Sequence, residues 1–228
     1  DFARLRPKIS DSIPGESLKL TAEFSISNAR DESTFNVVSK CAYGNTPDVI
    51  KMKEQWEEHE SKLKSQDTPS SDIEFQKRNF YILDAQRYFV ADSFDFVIQT
   101  IGTYENKSIV KMGNQILIGK FEELIQEIDS DLIEILRSET TVDFSYDIIL
   151  KNEDYTIGKV LEYILYDKHY QGDKTLSFCG FKKFHPHDVT STVRVAFNES
   201  TDKTIVKQRL RSVCVDAKDI FKKIGDMF

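Results

Sequence analysis

Residues 17–27 alternate apolar and polar side chains, with Leu18, Leu20, Ala22, Phe24 and Ile26 at period two, the pattern of a strand with one buried face. Pro14-Gly15 supplies the turn before it. A second strand-like run covers Phe35 to Tyr43, and Gly44-Asn45-Thr46-Pro47 reads as the turn that closes a hairpin-like unit. From Asp48 to Leu63 the spacing becomes helical, with Val49, Met52, Trp56 and Leu63 along a charged segment, and Lys64 to Asp72 reads as a polar loop. Phe80, Tyr81, Tyr88 and Phe89 then cluster, and Phe94, Phe96 and Ile98, with Ile101 out of phase, mark a strand that ends at Gly102.

With Asn106 as N-cap, the next segment predicts a long helix. Ile109, Met112, Ile116, Leu117, Phe121, Leu124, Ile128, Leu132 and Leu136 step by three and four along one stripe. Gly113 and Gly119 weaken this helix by about 1 kcal/mol each relative to Ala, a cost that suits close approach of another backbone. Ser138 to Thr141 breaks the pattern, and Val142 to Leu150 resumes as a strand. A turn at Asn152-Glu153-Asp154 leads into a short helix, Thr156 to Tyr166, with Ile157, Val160, Leu161, Ile164 and Leu165 on one face. Strands at Leu176 to Phe184 and Thr192 to Phe197 flank His185-Pro186-His187. The last helix carries Val206, Leu210, Val213, Ala217, Ile220, Ile224 and Phe228 on one side. Residues 139–228 thus read β-α-β-β-α, and residues 94–137 repeat only the final β-α.

The two long helices open on nearly the same phrase. Lys107-Ser108-Ile109-Val110-Lys111 and Lys203-Thr204-Ile205-Val206-Lys207 lie 96 positions apart (203 minus 107). A duplicated strand-turn-helix unit points to an internal pseudo-dimer rather than to a single-copy active site. Each stripe presents large apolar side chains worth roughly 1.5–3 kcal/mol apiece on burial. The stripes must therefore cover a sheet or each other.

Composition narrows the function classes. The 228 residues are 39% hydrophobic, enough for one large domain or two small ones with cores of their own. A net charge of -7 and a pI near 5.2 give no long-range attraction to phosphate, which disfavours a polymer-wrapping nucleic-acid module or a binder of anionic membranes. Cys41, Cys179 and Cys214 form no CxxC pair and are expected as buried, inert thiols in a reducing compartment. No run approaches the roughly 18 apolar residues of a membrane span, and no leader pattern precedes a cleavage site, so the chain is expected to be soluble and intracellular. Its first residue, Asp1, is not Met, which fits a fragment or a processed product.

Candidate chemistry is sparse. His185 and His187 make half of a metal site that nothing nearby in sequence completes. Trp56-Glu57-Glu58-His59-Glu60 sets carboxylates beside an imidazole, yet such a run is ordinarily a solvated helix face. Asp143, Asp147, Glu153, Asp154 and Asp188 are the carboxylates from which a Mg²⁺-dependent nuclease or small-molecule enzyme would be assembled. Phosphate-binding glycine loops, the GxSxG elbow and the HExxH helix are absent from the sequence. Glu153-Asp154-Tyr155-Thr156-Ile157-Gly158-Lys159-Val160-Leu161 is more specific: Asp154 or Thr156 can cap a helix, and Gly158 leaves room for a crossing neighbour such as a second helix.

That same stretch resembles the E-D-x-T-[LI]-G-N-[LV]-L signature of the eleventh subunit of eukaryotic RNA polymerase II and its archaeal L counterpart, with Lys159 in place of Asn. Phe178-Cys179-Gly180-Phe181-Lys182 followed by His185-Pro186 is similar to that family's F-x-G-Y-x-x-x-H-P strand and turn. Upstream, Leu5-Arg6-Pro7 and Gly15-Glu16-Ser17-Leu18-Lys19-Leu20-Thr21-Ala22 resemble the L-R-x-G-Q-E-L-x-L-x-A segment of the third subunit, the archaeal D and bacterial α relatives. Ser93 to Ile98 and the helix from Ser108 resemble the strand and helix that complete its dimerisation domain. Fusion of the two halves in one chain is a feature of nucleocytoplasmic large DNA viruses, and Gly15 to Asp48 looks most like the mimivirus-type branch. The family's H-A-K-W stretch is missing, with Ser33-Thr34-Phe35-Asn36 in its place, and the zinc cysteines of some relatives are unmatched.

The resemblance implies an α+β fold of the RNA polymerase α/D/L dimerisation type, with long helices packed on antiparallel sheets and part of an inserted, mainly-β domain. Its expected divisions are residues 1–88 for the insert, 89–138 for the end of the subunit-three-like dimerisation domain and 139–228 for the subunit-eleven-like one. Expected dimerisation and packing residues are Ile109, Ile116, Leu117, Phe121, Leu124, Ile128, Thr156, Gly158, Leu161, Val206, Leu210, Val213 and Ile220. It implies a non-catalytic scaffold of a DNA-directed RNA polymerase, with no catalytic residue, cofactor or metal of its own. The implied partners are the two large catalytic subunits, small ten- and twelve-type subunits and the family's opening strand and helix, which would be expected before Asp1 or on another chain. Neither direct nucleic acid nor membrane is among them. A viral origin places it in the host cytoplasm, at the virus factory, and in the virion.

Overall fold

A strand needs a neighbour for its backbone N–H and C=O groups, and only some of the strand-like runs find one. The computed structural model describes residues 3–138 and 142–228. Its chain forms two compact units, Asp1–Thr103 and Tyr104–Phe228. This division runs between the strand and the helix that the sequence pattern groups as one β-α element.

In the first unit Val38–Pro47 (β1) pairs antiparallel with Phe89–Thr100 (β2), Tyr43 opposite Phe96 and Cys41 opposite Ile98. Gly44 to Pro47 continue β1 rather than turning. Thr46 and Ser93 share a hydroxyl hydrogen bond of 2.8 Å, and Pro47 sits at the strand end, where its missing N–H costs no ladder bond. Residues 17–27 form no strand, because among the described residues no segment pairs with them; Leu18, Leu20, Phe24 and Ile26 are exposed.

Between the strands lie two helices, Val49–Ser65 (α1) and Ser70–Ile82 (α2), so the described part of residues 1–88 is not mainly β as expected. The Asp48 carboxylate caps α1 by accepting from the Lys51 N–H at 3.0 Å. Met52, Trp56 and Leu63 are buried, whereas Val49 is exposed in the first turn. Trp56 packs its ring 5.6 Å from Phe80 and donates its indole N–H to Glu60 at 2.9 Å. α2 escapes hydrophobic-pattern reading because two of its half-buried positions are polar, Gln76 and Asn79 beside Ile73 and Phe80.

The second unit is a four-stranded antiparallel sheet in the order β3-β4-β6-β5, from Glu134–Arg137 (β3), Ser145–Lys151 (β4), Leu176–Lys182 (β5) and Thr190–Phe197 (β6). Its helices are Asn106–Asp129 (α3), Tyr155–Leu165 (α4) and Lys203–Asp226 (α5). Observed residues 145–226 follow the predicted β-α-β-β-α order. Alternation puts Tyr146, Ile148 and Leu150 on one sheet face with Val193, Val195 and Phe197. This face joins Ile157, Leu161 and Leu165 of α4, Leu210 and Val213 of α5, and Phe121, Leu124 and Ile128 of α3 in one core.

Three expectations for α3 change. Its N-cap is Glu105, without a side-chain capping bond, and Asn106 is already helical. The helix stops at Asp129 because Asp131 takes a left-handed φ of 62°, a conformation that short polar side chains tolerate, and Leu132 N–H returns to the Glu127 carbonyl at 2.9 Å. Leu132 is therefore exposed and Leu136 belongs to β3. Gly113 and Gly119 have open space where a Cβ would stand, so neither serves a close approach. Gly113→Ala and Gly119→Ala are each expected to stabilise the chain by about 0.5–1 kcal/mol, read as a rise in thermal midpoint. Of the break expected at 138–141, residues 139–141 lie outside the described residues.

Candidate assembly site in the antiparallel helix pair

α3 and α5 are each 24 residues long, and their cross-contacts run in opposite directions along the two chains. Asp129 meets Arg211 in a bidentate pair at 2.7 and 3.1 Å, Glu122 meets Lys218 at 3.4 Å, the Phe121 and Phe221 rings stack at 5.9 Å, and Gly225 lies against Asn114. The helices are thus antiparallel. Lys218 is also 96 positions from Glu122, the spacing of the repeated phrase. A residue that touches its own repeat equivalent marks a twofold axis. Applying the same offset exchanges the Asn114–Gly225 contact with the neighbourhood of Arg211–Asp129, at the other end of the pair. The duplication seen in sequence is therefore a pseudo-twofold in space, centred near Glu122 and Lys218.

The expected packing residues divide into two groups. Phe121, Leu124, Ile128, Gly158, Leu161, Val206, Leu210 and Val213 are buried, and Leu117 and Ile109 are half-buried. Ile116, Thr156 and Ile220 are exposed, against expectation. Ile116 and Ile220 lie at the edge of their stripes, where a straight helix turns the side chain past the partner. Thr156 sits in the first turn of α4, where Asp154 already caps by accepting the Thr156 N–H at 3.0 Å.

Gly158 faces a strand and not a helix. A Cβ there would stand 2.0 Å from the Phe181 ring, so the glycine lets β5 press its aromatic side chain into α4. Tyr155 holds that ring edge-on at 5.2 Å. Glu153 links the α4 entry to α3 through Lys120 at 2.6 Å. On the opposite sheet face Asp147 and Arg194, directly paired across β4 and β6, form a bidentate bridge at 2.6 and 2.7 Å. Donating to the Asp147 carboxylate raises the Arg194 guanidinium above its usual range.

Sequence reasoning missed a polar cluster at the end of α4. Tyr166–Gly172 winds as a π-helix and buries His169, whose Nδ1 lies 2.9 Å from the Asp173 carboxylate. Arg209 of α5 reaches the same carboxylate at 3.2 Å. Lys168 pairs with Asp216 of α5. The only sequence signal was the four-residue spacing of His169 and Asp173 on one helical face. Burial works to raise the Asp173 carboxyl, but hydrogen bonds from the Thr175 hydroxyl, His169 and the Thr175 N–H outweigh it and bring it down to about 2. A depressed carboxyl contributes stability above its unfolded value of about 4 and loses it as pH falls toward about 2. Acid titration should show that loss in the wild type and not in Asp173→Asn.

The candidate catalytic groups are dispersed. Asp147 is held by Arg194, Glu153 by Lys120, Asp154 by the α4 cap, and Asp188 accepts the His185 N–H at 2.9 Å. The His185 and His187 rings meet edge-on at 5.0 Å. Among the described residues no group of three or more His, Cys, Asp or Glu side chains is placed to hold a metal. Glu58 and Glu60 pair along their own helix with Lys62 and Lys64, at 2.7 and 2.6 Å. Cys214 is buried and Cys179 half-buried, and burial pushes both thiols up to about 12; Cys41, expected buried, is exposed on β1. Among the described residues no helix is long and apolar enough to cross a membrane. No protein-family model matches the chain, and no curated protein matches it.

Proposed function

We propose that the chain is a non-catalytic assembly subunit of a multisubunit DNA-directed RNA polymerase, a covalent pseudo-heterodimer of a subunit-three-like and a subunit-eleven-like part. The observation that carries this reading is the pseudo-twofold of α3 and α5 about Glu122 and Lys218. Two equivalent helices, each opened by the same phrase and packed antiparallel, are the arrangement expected where two related subunits pair through one helix each. The stretch that resembles the eleventh subunit, Glu153 to Leu161, supports it further: its acidic residues link and cap α4, and its glycine seats Phe181.

The rigid product of that packing docks the two large catalytic subunits, with small ten- and twelve-type subunits beside them. Mg²⁺ and nucleotides then belong to the large subunits. In the viral setting this assembly works in the host cytoplasm and is carried in the virion. Native mass spectrometry of the tagged chain, purified from its source, tests the reading. Two very large subunits and template-dependent RNA synthesis in the same particle are expected. A chain that purifies alone, or that turns over a phosphodiester by itself with Mg²⁺, overturns it.

A further inference from the structure

Two features of the first unit are each incomplete and fit one another. Ser17–Ser27 keeps the alternation of a strand, yet Leu18 and Leu20 are half exposed and Phe24 and Ile26 are 98% and 100% exposed. Among the described residues none of its backbone groups enters a turn, loop or sheet hydrogen bond. Among the described residues β1, for its part, pairs only with β2, which leaves a row of donors and acceptors on its other edge. One face of that ribbon is apolar and open: Cys41 and Tyr43 stand with Phe94, Phe96 and Ile98, the Tyr43 ring 5.9 and 5.7 Å from those of Phe94 and Phe96. A two-stranded ribbon is marginal in water, whereas three strands with an apolar face hold together.

We propose that Ser17–Ser27 closes on the free edge of β1 as a third antiparallel strand. The connection supplies the reversal. At Asn28–Glu32 the N–H groups of Asp31 and Glu32 both return to the Asn28 carbonyl at 3.1 Å, and a 3₁₀ turn follows at Ser33–Phe35. A segment reversed at this turn would run back along β1, the strand it leads into, without crossing over the ribbon to β2. The register that ends both strands at this connection sets Ser27 opposite Val38, Phe24 opposite Cys41 and Ala22 opposite Tyr43. It places all five apolar residues of the segment on the face of Cys41 and Tyr43, and the small Ala22 side chain leaves room for the Tyr43 ring. A shift by one residue would turn Phe24 and Ile26 to the polar face that carries Thr46 and Asp95.

The closure does not depend on the polymerase reading, since both parts belong to one unit. Cys41 is a natural probe for it. Mild oxidation of the full chain carrying Phe24→Cys is expected to link the introduced thiol to Cys41 within one molecule, at least about tenfold faster than in Ser25→Cys, whose side chain points to the other face. Equal rates in the two variants, or bonds formed only between molecules, overturn the proposal; the latter assigns the edge to a second copy. Hydrogen exchange on the unmodified chain tests it without substitution. Alternate amides of residues 18–26, those facing β1, are expected to be protected by at least about tenfold, and exchange of all of them at the rate of an unstructured peptide refutes the closed strand.

Discussion

Leu210→Asp is expected to unfold the second unit. Leu210 is 1% exposed and lies in the core that joins both long helices, α4 and the inner sheet face. A carboxylate there loses its hydration, and the core groups around it are apolar, so none compensates the charge. We expect a cost of about 4 kcal/mol or more, a large part of the stability of a unit this size. The variant should lose its cooperative thermal transition and, under the polymerase reading, its place in the particle. Ile220→Asp is the matched control. It belongs to the same sequence stripe but is 45% exposed, and should stay within about 1 kcal/mol of the parent. Normal recovery of Leu210→Asp in an assembled polymerase would contradict both the core and the scaffold built on it.

Gly158→Val carries the second largest effect. The glycine's backbone needs no special conformation, so the constraint is spatial: the Phe181 ring occupies the volume a side chain would take, with three ring carbons within 2.5 Å of the Cβ position. Valine must displace that ring, and Tyr155 stands edge-on behind it. Overpacking of this kind costs typically 1–3 kcal/mol, and we expect a value of about 3 because the overlap is with a buried helix face. Phe181→Ala should cost stability alone yet relieve part of the loss in the double variant. A double-mutant cycle measured by denaturant unfolding checks this coupling. Strict additivity of the two substitutions would show that they do not share the space.

Several features were legible in the chain before folding. The helix at 155–165 could be placed from Asp154 and the run Ile157, Leu161, Ile164, Leu165, because cap and face are set by neighbours within two turns. α2 could not, since Gln76 and Asn79 share its half-buried face. The same limit applies to Gly158: its smallness predicts a close neighbour but not whether a helix or a strand supplies it. Gly113 and Gly119 carry the same residue signal and have no such neighbour. The exposed positions Ile116 and Ile220 show that a stripe is wider than the contact it makes.

By itself the sequence determined the type and order of most elements, the faces of the long helices and the duplication that begins them. These follow from periodicity, capping and turn chemistry, which act between residues a few positions apart. Only the tertiary structure decided that α3 and α5 cross their own repeat at Glu122 and Lys218, that β3 joins β4, and that His169 is buried beside Asp173. Those outcomes depend on which distant backbone edges and apolar faces meet, and alternation along one segment gives no information about the segment that will satisfy it.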